Sequence, residues 1–432
     1  MMRHLASTSL IAALTASVVG CGTQVTGATQ ALSLGSTGGR LYTKGGMAQV
    51  LVKRVPGSTG AMKVASATLR PMAVSAGMAR LGWSMVGVAP SQVSSVVQAL
   101  RQDRSVLAVQ PNLQRNLIKP GTAPGLEAAG LPGFTAAATP NDPHFGKQYA
   151  PQLVKAPEAW GFVTGKGQTI AIVDTGVDTG HPDLKDHVVP GWNTVSNNAN
   201  DKDDFGHGTH CAGIAAGLAN NREGIAGIAP DAKIMSVKVL GADGSGSDET
   251  VASGITWAAD HGATVINLSL GGPGESKVMN DAVDYALRKG AVLVAAMGND
   301  GTNEKSYPAA CEGVIAVGAS DKQDKIASFS QWGSWISVAA PGVKIFATMP
   351  TYKVAMSDWG FPRKYASMDG TSMAAPAAAG VTALVRSWQP KLSAEQVKAR
   401  LEATADKVPS QNNQPNEYFG HGRVNALRAV QR

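Results

Sequence analysis

From Asn141 onward, short runs of consecutive apolar residues alternate with stretches whose apolar positions recur every three or four residues. The runs TIAIVD (169–174), AKIMSVKVL (232–240), ATVINLSL (263–270), AVLVAAMG (291–298) and VIAVGAS (314–320) are rich in β-branched residues and have no solvent-facing polar rhythm. That is the pattern of strands buried on both faces. SDETVASGITWAADHG (247–262) and MNDAVDYALRKG (279–290) intervene with helical spacing. Strand and helix in alternation predict an α/β domain over 141–432, a three-layer arrangement with a parallel central sheet between helices.

The chain ahead of this domain is patterned differently. MAQVLVKRV (47–55) reads as a strand, a small-residue stretch at 61–69 as a helix, and ARLGWSMVGVA (79–89) as a second strand. SQVSSVVQALRQ (91–102) then reads as a second helix, with Ser91 available as its N-cap, and VLAVQPNLQRNL (106–117) as a third strand. This order predicts a small α+β, ferredoxin-like domain over 44–118, a sheet with two helices on one face. Residues 119–140 are rich in Gly, Ala, Pro and Thr with almost no charge, the composition of a linker open to proteolysis. Residues 21–43 read as a flexible tether. The first twenty residues run from Arg3 and His4 through LIAALTASVV to Gly20, the layout of an export signal and too short to span a bilayer permanently.

Composition adds a division of charge. The 432 residues are 44% hydrophobic and 16% charged, enough for a sizeable globular core. Residues 1–139 carry 12 Lys and Arg against 2 Asp and Glu, while 140–432 carry 26 against 29. The net +7 therefore resolves into a front of +10 and a remainder of −3. A nucleic-acid binder would place the excess on its main domain; here it lies on the small one, so no nucleic-acid partner is expected and the opposite signs suit two parts of one precursor. Of three cysteines, Cys21 belongs to the export segment, and Cys211 and Cys311 write no disulfide framework.

Three glycine-rich turns carry the chemistry: IVDTGVD (172–178), GHGTHCAG (206–213) and DGTSMAAP (369–376). Asp174 closes a strand at the end where open parallel sheets gather their functional groups. Taken singly, Asp174 could be a cap or a metal ligand, His207 a structural histidine and Ser372 a helix cap. Together they supply an orienting acid, a base and a nucleophile, which is what a serine hydroxyl needs to react at neutral pH. The density of His207, His210 and Cys211 also suits zinc. However, zinc-peptidase helices pair histidines at i and i+4 around a glutamate, and here the spacing is i and i+3 without one.

IVDTGVDTGHPDL, GHGTHCAGIAAG, INLSLGGP, VLVAAMGN and GTSMAAP, in that order, resemble the signature blocks of the subtilisin family of serine peptidases, with loop lengths nearest its thermitase branch. The resemblance covers 141–432, and the small domain resembles the family's inhibitory propeptide. It implies a serine endopeptidase in which Asp174, His207 and Ser372 form the triad and Asn299 donates to the oxyanion, with the Ser372 N–H as second donor. It further implies that Gly244, Ser245, Gly246, Ser269, Leu270 and Gly271 bind protein and peptide substrates as added strands, with Asp300 at the rim of the pocket and a broad, apolar preference. An inert binding protein of the same shape would need a broken triad or oxyanion hole, and neither is written here.

A structural Ca2+ site is implied as well: Asp142, Asp183 and Asn221 by side chain, and Leu218, Glu223 and Ile225 by carbonyl. At the positions of a second site the chain has Asn193, Ser196, Asn198, Asn200 and Lys202, a set without carboxylates, so that site is not expected, although Asp201, Asp203 and Asp204 offer ligands for one of different geometry. Ala377 and Ala378 stand where the family often has histidine and valine, without touching the triad. Cys211 falls where related chains keep an unpaired, buried thiol. VVGC resembles a lipoprotein signal in which Cys21 is lipidated. The expectation is a secreted, monomeric enzyme made as a self-inhibited precursor, anchored to a bacterial membrane through Cys21 until cleavage in the linker.

Overall fold

In the computed structural model, which describes residues 39–58, 62, 64, 67–118, 121–125 and 139–431, seven parallel strands form the central sheet. Their order across it is Val338–Pro341, Ile315–Ser320, Val292–Ala296, Val265–Leu268, Thr169–Asp174, Lys233–Lys238 and Val188–Asn193. All five apolar runs read from the sequence are in it, and their residues are almost wholly buried. The helices Asp248–Asp260 and Lys277–Arg288 pack on each other, and His207–Ala216 packs on Thr371–Trp388, which crosses the strands from 265 to 341. This is the three-layer α/β fold that the alternation predicts.

The first strand in chain order lies centrally, with later strands added first on one side and then on the other. The direction of winding reverses beside Thr169–Asp174, the place where open parallel sheets form a crevice at the carboxyl ends of their strands.

Ahead of this, Met47–Arg54 is the middle of an antiparallel sheet, flanked by Trp83–Val88 on one side and Val106–Pro111 on the other. Alternate residues of this strand divide between two cores. Val50 and Val52 pack with Val93, Val96 and Leu100 of the helix Val93–Arg101. Leu51 faces the other way and joins Trp83, Met85 and Met78 in the large domain's own apolar cluster. Two sequence expectations fail here. Among the described residues of 61–69 there is no helix, and Val64 and Ala67 pair as an antiparallel bridge; a short helix forms at Ala76–Arg80, capped by Ser75. Ser91 caps nothing, because Pro90–Gln92 forms a 3-10 turn that feeds directly into the helix. Pro90 favours such a first turn through its fixed φ, which the helical periodicity of SQVSSVVQAL does not reveal.

The charge division reappears as contacts. Lys53 meets Asp281 at 2.6 Å, Arg80 meets Asp260 at 2.7 Å, and Trp83 Nε1 donates to Asp281 at 2.9 Å. The export segment 1–20, Cys21, most of the tether and most of the linker lie outside the described residues. Among the described residues no helix is long and apolar enough to cross a membrane.

Candidate active site

Asp174 ends the central strand, and the helix His207–Ala216 starts against it. A Cβ on Gly208 would lie 2.1 Å from the Gly176 carbonyl, so only glycine lets the helix approach the turn this closely. The approach brings His207 Nδ1 to 2.8 and 3.0 Å from the two Asp174 oxygens, with both residues wholly buried. Burial opposes a charge on His207, but the carboxylate of Asp174, followed by the Cys211 thiol, outweighs it and holds the imidazole well above its ordinary pKa.

Asp203, which sequence reasoning considered only as a ligand of a rebuilt second cation site, secures this helix. Its Oδ1 accepts from Gly206 N at 2.7 Å and Thr175 Oγ1 at 2.9 Å, and its Oδ2 from Thr209 N at 3.0 Å and Thr209 Oγ1 at 2.6 Å. A buried carboxylate thus accepts from the N-cap and the third residue of the helix that carries His207, while Gly208 N donates to Thr175 Oγ1. The only local signal is the Asp lying four residues ahead of a histidine, which is weak.

Ser372 is the second residue of the helix Thr371–Trp388, where an N–H has no intrahelical acceptor. Gly370 before it has φ +155°, and a Cβ there would stand 3.0 Å from Asn299 Nδ2. Asn299 Oδ1 accepts from Thr371 N and Thr371 Oγ1, both at 2.9 Å, which orients its amide beside the helix start. Pro376 has no N–H to give the carbonyl four residues back, and that carbonyl is Ser372's own. It accepts instead from Ser269 Oγ at 2.9 Å and Cys211 Sγ at 3.4 Å. The nucleophile candidate is therefore pinned by two residues of other segments.

The cleft is filled by the chain's own N-terminal part. Gln114–Leu117 lies antiparallel between Ser245–Ser247 and Leu270–Gly271 as the middle strand of three. Leu117 N donates to Gly244 O at 2.8 Å. Ser372 Oγ lies 3.1 Å from both Ile118 O and Ser269 O, either of which can accept its one proton. Beyond, Gly121–Gly125 pairs with Tyr365–Asp369, so the backbone is held on both sides of Ser372. His207 Nε2 is buried with no hydrogen-bond partner among the described residues. Asp300 is exposed.

His210 is neutral and structural: burial pushes it down to about 3, and Nε2 meets Ala366 O at 3.1 Å. Asp174, His207 and Cys211 do offer ligand-type atoms within 4.8 Å of one another. However, the His207 nitrogen in that group is already at hydrogen-bonding distance from Asp174, and burial pushes the Cys211 thiol up, away from the thiolate that metals and electrophiles require.

Apart from the cleft, Asp142 and Asp183 are buried with no Lys or Arg paired to either among the described residues. Asn220 N and Asn221 N donate to Asp142, and Asn221 Nδ2 and Ile225 N to Asp183. Burial raises Asp142, and the nearby Asp183 charge adds to it. Two facing carboxylates wrapped by the loop 218–225 are a donor set that fits a hard cation. The second family position holds no such set: Lys202 lies over the Tyr352 ring at 4.0 Å, Asp203 serves the His207 helix, and Asp204 pairs with Lys238 at 2.6 Å.

The family model described as Subtilase family matches residues 165–422. Thermitase of Thermoactinomyces vulgaris is 49% identical over 294 residues, covering 68% of this chain and 99% of thermitase. A thermophilic serine proteinase of Bacillus sp. (strain AK1) is 45% identical over 299 residues, 69% of this chain and 70% of that protein. Among solved structures, fervidolysin from Fervidobacterium pennivorans, described as a keratinolytic enzyme related to subtilisin, aligns with a TM-score of 0.75 at 27% identity. That likeness covers 92% of this chain, which spans 64% of the fervidolysin chain.

Proposed function

Because the chain belongs to the subtilase family and is a subtilisin-type serine endopeptidase, we propose that Ser372, His207 and Asp174 hydrolyse peptide bonds in proteins and that residues 44–118 are the enzyme's own inhibitor. The observation that carries this reading is the Ile118 carbonyl 3.1 Å from Ser372 Oγ, on a strand paired as an extended substrate would be.

Ser372 Oγ attacks the carbonyl carbon, and its proton passes to the vacant Nε2 of His207. Asp174 holds the opposite nitrogen, fixing the tautomer and stabilising the imidazolium. The carbonyl electrons move onto oxygen, where the Ser372 N–H and the Asn299 amide donate. Collapse expels the amine, which takes the proton from His207 and leaves an acyl-enzyme. Water, deprotonated by the same imidazole, then releases the carboxylate and restores Ser372. In the precursor the first bond in place is the one after Ile118, so maturation begins at the border of 119–140, and the basic small domain stays bound to the acidic enzyme as a product-like inhibitor. Export by residues 1–20 and lipidation of Cys21 would tether the precursor, and cleavage would free a secreted, monomeric enzyme from the anchored side. A pocket lined by Ser269–Gly271 would take the Ile118 side chain, whose Cδ1 would lie 3.7 Å from a Cβ on Gly271, and would suit apolar side chains.

A fluorophosphonate, which bonds only to an activated serine, is expected to label Ser372 of the processed protein. A processed, folded protein without label on Ser372 would overturn the assignment.

Asp142, Asp183 and Asn221 by side chain, with the carbonyls of Leu218, Glu223 and Ile225, would hold Ca2+ and supply stability rather than reaction chemistry. Chelation is expected to lower the melting temperature of the processed enzyme by roughly 5 °C or more, because a ligand at a hundredfold its Kd contributes about 2.7 kcal/mol. Added Ca2+ restores it. An unchanged melting temperature would count against the site.

A further inference from the structure

The strand in the cleft carries a charged side chain with no exposed surface. Arg115, three residues before Ile118, is wholly buried, and so is its partner Asp248. Arg115 Nε donates to Asp248 Oδ1 at 2.5 Å, Nη1 to Gly272 O and Pro273 O at 2.9 Å each, and Nη2 to Gly274 O at 2.9 Å. The guanidinium is thus surrounded by acceptors: one carboxylate on one wall and a run of three carbonyls on the other.

Both walls belong to the enzyme rather than to the inhibitory part. Asp248 follows directly on Ser247 of one pairing strand, and Gly272–Gly274 follow Gly271 of the other. Asp248 is also the first residue of the helix Asp248–Asp260, so it belongs to a rigid element of the enzyme. The socket therefore remains when the N-terminal strand leaves, and any substrate in the same register places its fourth residue before the cleaved bond there. The planar fork of an arginine can address both walls at once, whereas a lysine ammonium is a point donor. An apolar residue would take water from Asp248 and three carbonyls and return no hydrogen bond.

We propose that this socket is a specificity-determining subsite, through which the mature enzyme selects substrates with arginine at the fourth position ahead of the scissile bond, Asp248 being the residue that selects. The proposal rests on the reading that 114–118 lies in the cleft as a substrate does, and it sharpens the broad apolar preference inferred above.

The test uses processed wild-type enzyme and four peptides of the form Xaa-Asn-Leu-Ile followed by a fluorogenic amide, with Xaa as Arg, Lys, Leu or Ala. The arginine peptide is expected to exceed the leucine peptide in kcat/KM by roughly tenfold to a hundredfold, the range that hydrogen bonds to charged groups supply, mostly through KM. Lysine should fall between them. Asp248→Asn is expected to bring the arginine-to-leucine ratio close to one, whereas Glu249→Gln, a change to the adjacent carboxylate, should keep it. Equal kcat/KM for arginine and leucine in the wild type would overturn the proposal while leaving the peptidase reading intact, and so would a ratio that survives Asp248→Asn. Failure to cleave any of the four after isoleucine would overturn the substrate-like register itself, and the socket with it. The wild-type series decides the matter even where Asp248→Asn fails to fold.

Discussion

The Ser372→Ala chain is expected to accumulate uncleaved, retaining residues 22–140, while the wild type yields a product whose new N-terminus is Lys119. Removing the Oγ removes the nucleophilic atom that contacts the Ile118 carbonyl. Losses on removing such a nucleophile reach about 10⁶-fold in kcat, which turns processing within minutes into processing over years. Intact mass and N-terminal sequencing of both chains, expressed without added protease, read the outcome directly. Normal processing of the alanine variant would show that another protease matures the chain, and a first cut elsewhere in the linker would show that Ile118 is not presented as the structure implies.

Asp174→Asn is expected to lower kcat by about 10⁴-fold, the scale seen when the orienting carboxylate of a serine triad becomes an amide. Both Asp174 oxygens lie within 3.0 Å of His207 Nδ1, so the amide nitrogen can turn toward that atom, stabilise the wrong tautomer and deny Nε2 its role as base. A second readout separates this from simple loss of structure. In the wild type, burial disfavours the His207 charge but Asp174 overrides it and raises the pKa. A base must be unprotonated to accept the serine proton, so activity falls as pH drops through that raised value, and the acid limb should lie above about 6.5, where free imidazole titrates. In the asparagine variant the raising influence is gone and the limb should move to lower pH, even as the plateau drops. Near wild-type kcat, or an acid limb that stays where it was, would contradict the role assigned to Asp174.

Much of this was legible locally. The buried strands announced themselves because a strand covered on both faces has no polar rhythm, and Thr169–Asp174 has the bounds its apolar run suggests. Asp174, His207, Ser372 and Asn299 sit in glycine-rich turns whose backbone demands leave a mark in the sequence, such as φ +155° at Gly370 or the close approach at Gly208. Opposite charges on the two parts foretold that basic residues would meet acidic ones, though not that Lys53 would find Asp281 or Arg80 Asp260. The helical reading of 61–69 misled because propensity is a weak prior even for alanine: among the described residues Val64 and Ala67 pair across a bridge instead.

What the sequence by itself determined, then, is the layered sheet, the placing of the candidate reacting groups in glycine-rich turns and the division of charge between two parts of the chain. These are properties of local pattern and composition. Only the tertiary structure decided that Ile118, 254 residues from Ser372, presents its carbonyl there, and that Arg115 reaches Asp248 across 133 residues. Both depend on the register of one strand laid between two others. Moving that strand by one residue would turn each side chain to the opposite face, and nothing within the strand's own residues records which register its distant neighbours impose.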